Sequence, residues 1–312
     1  MNKIFIIYGL GNHFKNKIYP ALRKFTNVSI GDIKTTKSKK IKKRYLDKLN
    51  KNFLPNFAYI ATPISTHYKY LKELANNNTV KYIFCEKTLT EKYSSTKKII
   101  DLYKTKNKFL IETYMYVYHP EFLYLKKFIK QNKMKNTKGV VFCRYTIPKL
   151  NKSDHRNNAL LTGGELYEIG CYPISLLYFL FNYDDKIIKQ NILKKIVHFK
   201  QGVLVKIKLK NITFIISWGY NFNYRNKFIF YSKRYRIITE KIFGKKTDEY
   251  VKLKIFNSIN KKIHNKKYTN NDNFYHMFKY CFSKLQFEKN KKNFLKESLI
   301  VSKMIKYFKN LI

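Results

Sequence analysis

Cysteine is scarce in this chain: 4 of 312 residues, with no CxxC pair and no histidine at metal-ligand spacing. That excludes a disulfide scaffold and a zinc finger, and no metal is expected. With 10 glycines and 6 prolines, collagen-like and Pro/Gly-rich low-complexity architectures are excluded as well. Long apolar runs are missing. The strongest, Cys171 to Phe181, falls short of the roughly 20 residues that span a bilayer. The opening MNKIFIIYG has one lysine and an apolar run too short for a signal-peptide core. The expectation is a cytoplasmic protein with no membrane partner.

Acidic residues are also few, 19 against 65 basic ones, which leaves a net charge of +46. Taken alone, this charge suggests a nucleic-acid or anionic-membrane partner. Arginine, however, supplies only 7 of the 65, and arginine is the residue that grips phosphate and guanine in bidentate fashion. The abundant residues (Lys, Asn, Ile, Tyr, Phe) use A/T-rich codons and the depleted ones G/C-rich codons, so drift in base composition accounts for the surface. No nucleic-acid partner is expected, although a basic nucleic-acid-binding protein remains an alternative. The 45% hydrophobic and 17% aromatic content is ample for packed cores and excludes a wholly disordered chain.

The first third alternates short apolar runs with amphipathic stretches. Runs at Lys3 to Tyr8, Val28 to Ile30, Phe57 to Ala61, Val80 to Cys85 and Phe109 to Thr113 are separated by helical patterns at Ile18 to Phe25, Thr66 to Ala75 and Glu91 to Lys104. This is the pattern of βαβ units and a parallel sheet covered on both faces. After a helix near Glu121 to Ile129 the rhythm changes. Val203, Val205, Ile207 and Leu209 alternate with lysines, and Ile212 to Tyr220, Lys227 to Ser232 and Tyr235 to Phe243 follow after short turns. Such alternation indicates an antiparallel sheet. The expected fold class is α/β: an N-terminal domain built on a parallel sheet over residues 1–120, and a C-terminal α+β domain over 121–312 with a large, mostly antiparallel open sheet built between about 138 and 257. Closing helices are read at Phe274 to Phe282 and Phe294 to Leu311. The Lys/Asn-rich stretches near 37–52 and 257–273 read as solvated helix or loop.

Gly9-Leu10-Gly11 follows the first strand directly and precedes a helix, where a dinucleotide pyrophosphate would meet backbone N–H groups at a positive helix end. The third position of GxGxxG is Phe14. Asp32, read at the end of the second strand and 21 residues beyond Gly11, would bond ribose hydroxyls and disfavour a 2′-phosphate. The third and fourth strands end in ATPISTH (61–67) and CEKTLT (85–90), on the side where open α/β sheets bind ligands. ETYMYVYHP (112–120), GGELYEIGCYP (163–173) and WGYNFNYRNKFIFYSKRYRIITEKIFG (218–244) come after. In this order and spacing, the motifs resemble the Gfo/Idh/MocA oxidoreductases, a family that includes nucleotide-sugar ketoreductases and dihydrodiol dehydrogenases.

The resemblance implies a Rossmann domain that holds NAD(H) or NADP(H), with Gly9, Leu10, Gly11, Asn12, Asp32, Thr62, Pro63, His67, Glu86 and Lys87 as cofactor-binding candidates. It also implies a C-terminal domain whose open sheet forms a homo-oligomer interface. Phe214 and Trp218 alternate with Ile215, more apolar surface than two helices can cover. Glu86-Lys87 matches the family's EKP motif, with Thr88 in place of Pro. Tyr172 falls at its His or Tyr acid/base and Glu168 at its usual Asp. Lys87, Tyr172 and Glu168 are therefore the catalytic candidates; a helix would put Glu168 and Tyr172 on one face. His119, Asp154 and Arg156 are candidate substrate contacts. The chemistry fits independently, because a ketone that receives a hydride also needs a proton, and a tyrosine beside an ammonium can supply one near neutral pH. The expected function is hydride transfer to or from a secondary alcohol or ketone of a sugar, nucleotide sugar or cyclitol, a small carbohydrate being the partner. Phe14, Thr88 and Glu168 leave open a catalytically decayed member that acts as a binding or assembly protein.

Overall fold

The computed structural model describes residues 2–37, 39–49, 54–190, 194–199, 202–245, 249–269 and 272–312. Their contacts group into two units. One is Met1–Tyr114 with Met277–Ser302, the other Met115–His276 with Lys303–Ile312. Residues 277–302 thus lie with the first unit, whereas the sequence reading placed everything after 120 in the second domain.

The first unit is built on five parallel strands: β1 (Lys3–Tyr8), β2 (Val28–Lys34), β3 (Phe57–Ile60), β4 (Tyr82–Cys85) and β5 (Phe109–Glu112), in the order β2-β1-β3-β4-β5. Every residue of β1, β3, β4 and β5 is buried, which is why these strands read as continuous apolar runs. On one face Ile6, Ala58, Ile83 and Leu110 pack with Leu71, Leu74, Ile99 and Tyr103 from the helices Ile64–Asn76 and Tyr93–Thr105. On the other, Phe5, Phe57 and Phe84 meet Phe278 and Phe282 at ring separations of 5.2 to 6.4 Å. Each such ring contributes about 1.5–3 kcal/mol by leaving water. Strand order reverses between β1 and β3, the place where open α/β sheets bind their ligands.

β2 runs further than its sequence suggests. It continues through Gly31-Asp32 to Lys34, with a register shift against β1 between Phe5 and Ile6. Asp32 therefore lies inside a strand and not at its end, just past a bulge of the kind that re-aims side chains.

The second unit carries an eight-stranded sheet: β6 (Gly139–Thr146), β7 (Lys194–Phe199), β8 (Gly202–Leu209), β9 (Ile212–Gly219), β10 (Arg225–Ser232), β11 (Tyr235–Glu240), β12 (Val251–Asn257) and β13 (Lys262–Tyr268), ordered β13-β12-β11-β10-β6-β9-β8-β7. β6 pairs parallel with β9; the other pairs are antiparallel. Val205, Ile207, Phe214, Trp218, Phe228 and Phe230 form its buried face, and Phe181 of the helix Cys171–Phe181 packs 5.1 Å from Phe214 and 5.9 Å from Phe230. Phe214 and Trp218 thus point into this chain's own core. On the opposite face Phe142 and Tyr231 are 40% and 43% exposed.

The stretch 257–273, read as solvated helix or loop, instead contains β13, paired antiparallel with β12. It is a sheet edge rich in lysine, and lysine is what natural edges use to block further pairing. The composition that looked like a loop is the protection an exposed strand needs. Among the described residues no helix is long and apolar enough to cross a membrane.

Candidate functional site

In the first unit the glycine turn is fixed by its neighbours. Gly9 has φ +99°, and a Cβ there would meet the Ala61 carbonyl oxygen at 2.8 Å, so only glycine fits this crossing of the turns after β1 and β3. At Gly11 a Cβ would meet no heavy atom within 4 Å. Gly11 opens a helical stretch over residues 12–22 whose central part, Phe14–Ile18, is wound as a π-helix. Phe14, at the place of the third motif glycine, is fully buried against Tyr19 and Tyr45, at ring separations of 6.0 and 5.8 Å. The departure from GxGxxG is thus a packing substitution away from the two glycines. Open space at Gly11, exposed Asn12 and His13 at the start of the helix, and Leu10 buried beneath make a cradle that fits a pyrophosphate.

Asp32 is not a bare carboxylate. Its Oδ1 accepts the Ile33 N–H at 2.7 Å, and Lys34 and Lys42 approach at 3.2 and 3.9 Å. After β3, the Thr66 hydroxyl donates to the Thr62 hydroxyl at 2.7 Å and contacts the Pro63 carbonyl at 2.8 Å, which fixes the start of the helix Ile64–Asn76.

His67 is almost fully buried. Its Nε2 lies 2.8 Å from the Thr62 carbonyl and its Nδ1 3.0 Å from the Thr88 carbonyl. Burial pushes the ring pKa down, outweighing these hydrogen bonds, so the ring is neutral near pH 7 and donates to one carbonyl at a time. His67 is thereby a brace between the turns after β3 and β4.

The turn after β4 carries Glu86 and the half-buried Lys87, and its Lys87–Thr88 peptide is cis. Glu86 accepts hydrogen bonds from Tyr59 and from His13, the latter at 2.9 Å. Burial alone would raise its pKa, but His13, Tyr59 and Lys87 together hold it below the usual carboxylate value. Behind the turn, the buried Glu112 accepts the Leu89 N–H at 3.0 Å.

In the second unit, Glu168 sits in a π-helical turn (Leu166–Gly170) that leads into the helix Cys171–Phe181. The stretch is helical, with a winding that loosens the assumed i, i+4 pairing with Tyr172. Gly170 lets this turn press onto Trp218, since a Cβ there would meet the indole at 2.9 Å. Tyr172 is 7% exposed; its hydroxyl meets the Met115 sulfur at 3.7 Å, and its ring packs on Tyr145 at 5.2 Å, Phe243 at 5.4 Å and Tyr116 at 5.9 Å.

Asp154 and Arg156 face each other. Arg156 Nε and a terminal guanidinium nitrogen donate to the two carboxylate oxygens at 2.9 and 2.6 Å, and this pairing holds Asp154 at about 2. The charge of Glu168 acts on Arg156, Tyr145 and Tyr220. Burial, reinforced by Glu168, pushes both tyrosine hydroxyls well up. The sequence reading gave neither tyrosine a role: Tyr145 lies on β6 outside its motifs, and Tyr220, just past β9, lies inside the 218–244 stretch without having been singled out. His119 caps the helix Pro120–Gln131, its Nδ1 accepting the Glu121 N–H at 3.2 Å, with its ring fully buried beside Tyr268 and His276. Its position is that of a buried cap.

Comparison with known proteins agrees with this geometry. Residues 5–114 match the GFO_IDH_MocA family, described as an oxidoreductase family with an NAD-binding Rossmann fold. The chain is 27% identical over 118 residues to a dTDP-3,4-didehydro-2,6-dideoxy-alpha-D-glucose 3-reductase of Streptomyces violaceoruber, and 26% identical over 115 residues to the enzyme so named from Saccharopolyspora spinosa. These matches cover 38% and 37% of this chain and span 34% of each relative's length. In three dimensions the similarity is wider. A 3-ketoreductase from Actinomadura kijaniata, solved with TDP-benzene and NADP, superposes with a TM-score of 0.81 at 15% identity over 99% of this chain and 98% of its own. An aldose-aldose oxidoreductase from Caulobacter crescentus, solved with glycerol, gives 0.77 at 13% identity over 97% and 96%. With their glycine cradle at the strand-order reversal, residues 5–114 match the NAD-binding Rossmann fold of the Gfo/Idh/MocA oxidoreductase family, in a chain that shares its fold with these enzymes along nearly its whole length.

Proposed function

We propose that the protein is a nicotinamide-dependent oxidoreductase that transfers a hydride to or from a secondary alcohol or ketone of a sugar, and that a nucleotide-linked sugar is its substrate. The observation that carries this reading is the pair of turns on the first sheet: an open glycine cradle after β1, and after β4 a turn whose residues on either side of Lys87 are held by His13, His67 and Glu112. The relatives named as dTDP-sugar reductases support the substrate class.

When bound, reduced nicotinamide supplies the hydride that turns a ketone carbon into a carbinol. The backbone around Gly9 and Gly11 holds the pyrophosphate, and Asp32 meets the adenosine ribose. Lys87 donates a hydrogen bond to the substrate oxygen as negative charge develops on it. Tyr172 delivers the proton from its hydroxyl; its observed acceptor, the Met115 thioether, is a weak one. Glu168 and Arg156 set the charge around the tyrosines of the second unit. The exposed Phe142 and Tyr231 on the outer sheet face suit a homo-oligomer contact.

A thermal-shift screen with NAD(H), NADP(H) and a panel of dTDP- and UDP-sugars tests the reading, since a ligand specific to the folded state raises the apparent melting temperature. The expected result is a shift with a dinucleotide and a further shift with at least one nucleotide sugar. No shift with any dinucleotide would overturn it.

A further inference from the structure

We propose that Glu112 is the positioning residue of Lys87: from the end of β5 its buried carboxyl group holds the backbone of the 87–89 turn and so fixes where the Lys87 ammonium points. The inference rests on the oxidoreductase reading for its consequence in catalysis, but its geometry stands within the first unit alone.

The turn is gripped from two sides. Glu112 Oε1 accepts the Leu89 N–H at 3.0 Å, and His67 lies 3.0 Å from the carbonyl oxygen of Thr88. Glu112 thus holds the amide of the second residue after Lys87, and the His67 ring sits against the carbonyl of the first, donating to it in one of its two tautomers. Glu112 is 8% exposed, too buried for a polar surface residue, and the sequence reading gave it no role. A buried carboxyl must be matched by hydrogen bonds or charge. The groups that face it are Lys87 and the Leu89 amide from the turn, the Cys85 thiol from β4, and the Ser298 hydroxyl from the helix Glu288–Lys309. Lys87 is the one cation among them. A carboxylate here draws the ammonium by charge and grips the Leu89 amide with a charge-assisted bond, about twice as strong as a neutral one.

Burial pushes the Glu112 pKa up to about 8, against the pull of Ser298, Leu89 and Lys87. Its protonated form is thus favoured by folding. The stability it contributes is fully present below the ordinary carboxylate range and is lost as pH rises through about 8. Over the same interval the forming carboxylate tightens the turn and favours the charged form of Lys87.

Glu112→Gln keeps the shape and an oxygen acceptor and removes the charge; Glu112→Leu removes both. Two measurements need no substrate. Competitive acetylation read by mass spectrometry gives the relative reactivity of Lys87, with the other lysines as internal references. Hydrogen exchange gives the protection of the Leu89 amide. The expected result for Glu112→Gln is a several-fold faster acetylation of Lys87 above pH 8, with reference lysines and NADH and NADPH affinities unchanged. Leu89 exchange should accelerate moderately in the Gln variant and strongly in the Leu variant.

Single-turnover hydride transfer should fall about tenfold in Glu112→Gln, in the range typical of supporting residues behind a site. The fall should be confined to pH above about 8, where Glu112 is ionised, so the pH arm expected of the wild type should be absent from the variant. Unchanged Lys87 reactivity and Leu89 exchange would overturn the proposal, as would loss of dinucleotide affinity in Glu112→Gln, which would mark a purely structural carboxyl. If both substrate-free readouts move as expected while the wild type transfers no hydride to any ketose or nucleotide sugar, the positioning stands and the proposed activity fails.

Discussion

The two units hold their candidate chemistry in different ways. In the first, nearly every side chain with an assigned role sits at or just beyond the end of a parallel strand: the Gly9–Gly11 turn after β1, Thr62 after β3, Glu86 and Lys87 after β4, Glu112 closing β5. In the second, Tyr172 comes from a helix and is packed by Tyr116, by Tyr145 of β6 and by Phe243 beyond β11. A parallel sheet repeats one geometry at every strand end, so each strand can deliver a functional residue from a short stretch of sequence. An antiparallel sheet with a helix laid over it collects rings from distant positions, and no short stretch announces the set.

That contrast is tested hardest by removing one functional group from each unit. Lys87→Met takes away a cation and a hydrogen-bond donor; Tyr172→Phe takes away one hydroxyl and keeps the ring among its aromatic neighbours. Both variants should fold and bind dinucleotide, and single-turnover hydride transfer should drop on the order of 10²-fold or more in each, the usual contribution of a positioned acid. Lys87→Met should be the more damaging. A Tyr172→Phe protein with nearly full rate would move the acid elsewhere in the second unit, with Tyr145 the nearest hydroxyl-bearing ring.

A second pair of substitutions, inside one turn, should act with opposite signs on stability. Gly9→Ala forces a side chain into left-handed backbone and against the Ala61 carbonyl. It should cost about 1–3 kcal/mol, seen as an earlier denaturation midpoint. Gly11→Ala meets no protein atom and should leave stability unchanged or raised by about 0.4–1 kcal/mol. Its methyl group, however, would stand in the proposed pyrophosphate cradle, so dinucleotide affinity should fall at least tenfold by titration. Equal loss of stability in both variants would show that Gly11 is a packing glycine and not a ligand one.

Much of the first unit was legible in the sequence because its signals are local. Continuous apolar runs ending in Gly9-Leu10-Gly11, Thr62-Pro63 and Glu86-Lys87 placed five strands within a few residues of where they lie. What was not legible there depends on contacts across the sheet. The bulge that carries β2 through Asp32 is set by its register with β1, and the buried role of His67 depends on two carbonyls from separate turns. In the second unit β8 to β11 were legible by their alternation, whereas β6, β7 and β12 were not picked out individually and β13 was read as loop, since an edge strand made of lysine and asparagine has the composition of a loop. His119 had the motif context of a substrate contact, yet the chain uses its ring as a buried helix cap. Glu112 stood in a recognised motif with no local sign that its carboxyl would be enclosed.

The smallest expected effect concerns cofactor choice, and it separates what a residue type implies from what its neighbours allow. An acid at Asp32 would ordinarily repel a 2′-phosphate and favour NAD(H). Here Lys34 and Lys42 lie 3.2 and 3.9 Å from its carboxylate, so much of that repulsion is offset at the point where the phosphate would sit. These pairs are partly exposed, and exposed pairs are worth only about 0.2–1 kcal/mol each. The wild type should therefore prefer NAD(H) by no more than about tenfold, or about 1.4 kcal/mol. Lys42→Ala should widen that preference by a few-fold, since it leaves the carboxylate less compensated. Asp32→Ala should reverse it, because two lysines would then face the 2′-phosphate with no anion between them. Affinities for NADH and NADPH in the three proteins decide the matter at low salt, where such charges are least screened. Tighter NADPH binding by the wild type would mean that the lysines, and not Asp32, govern the choice.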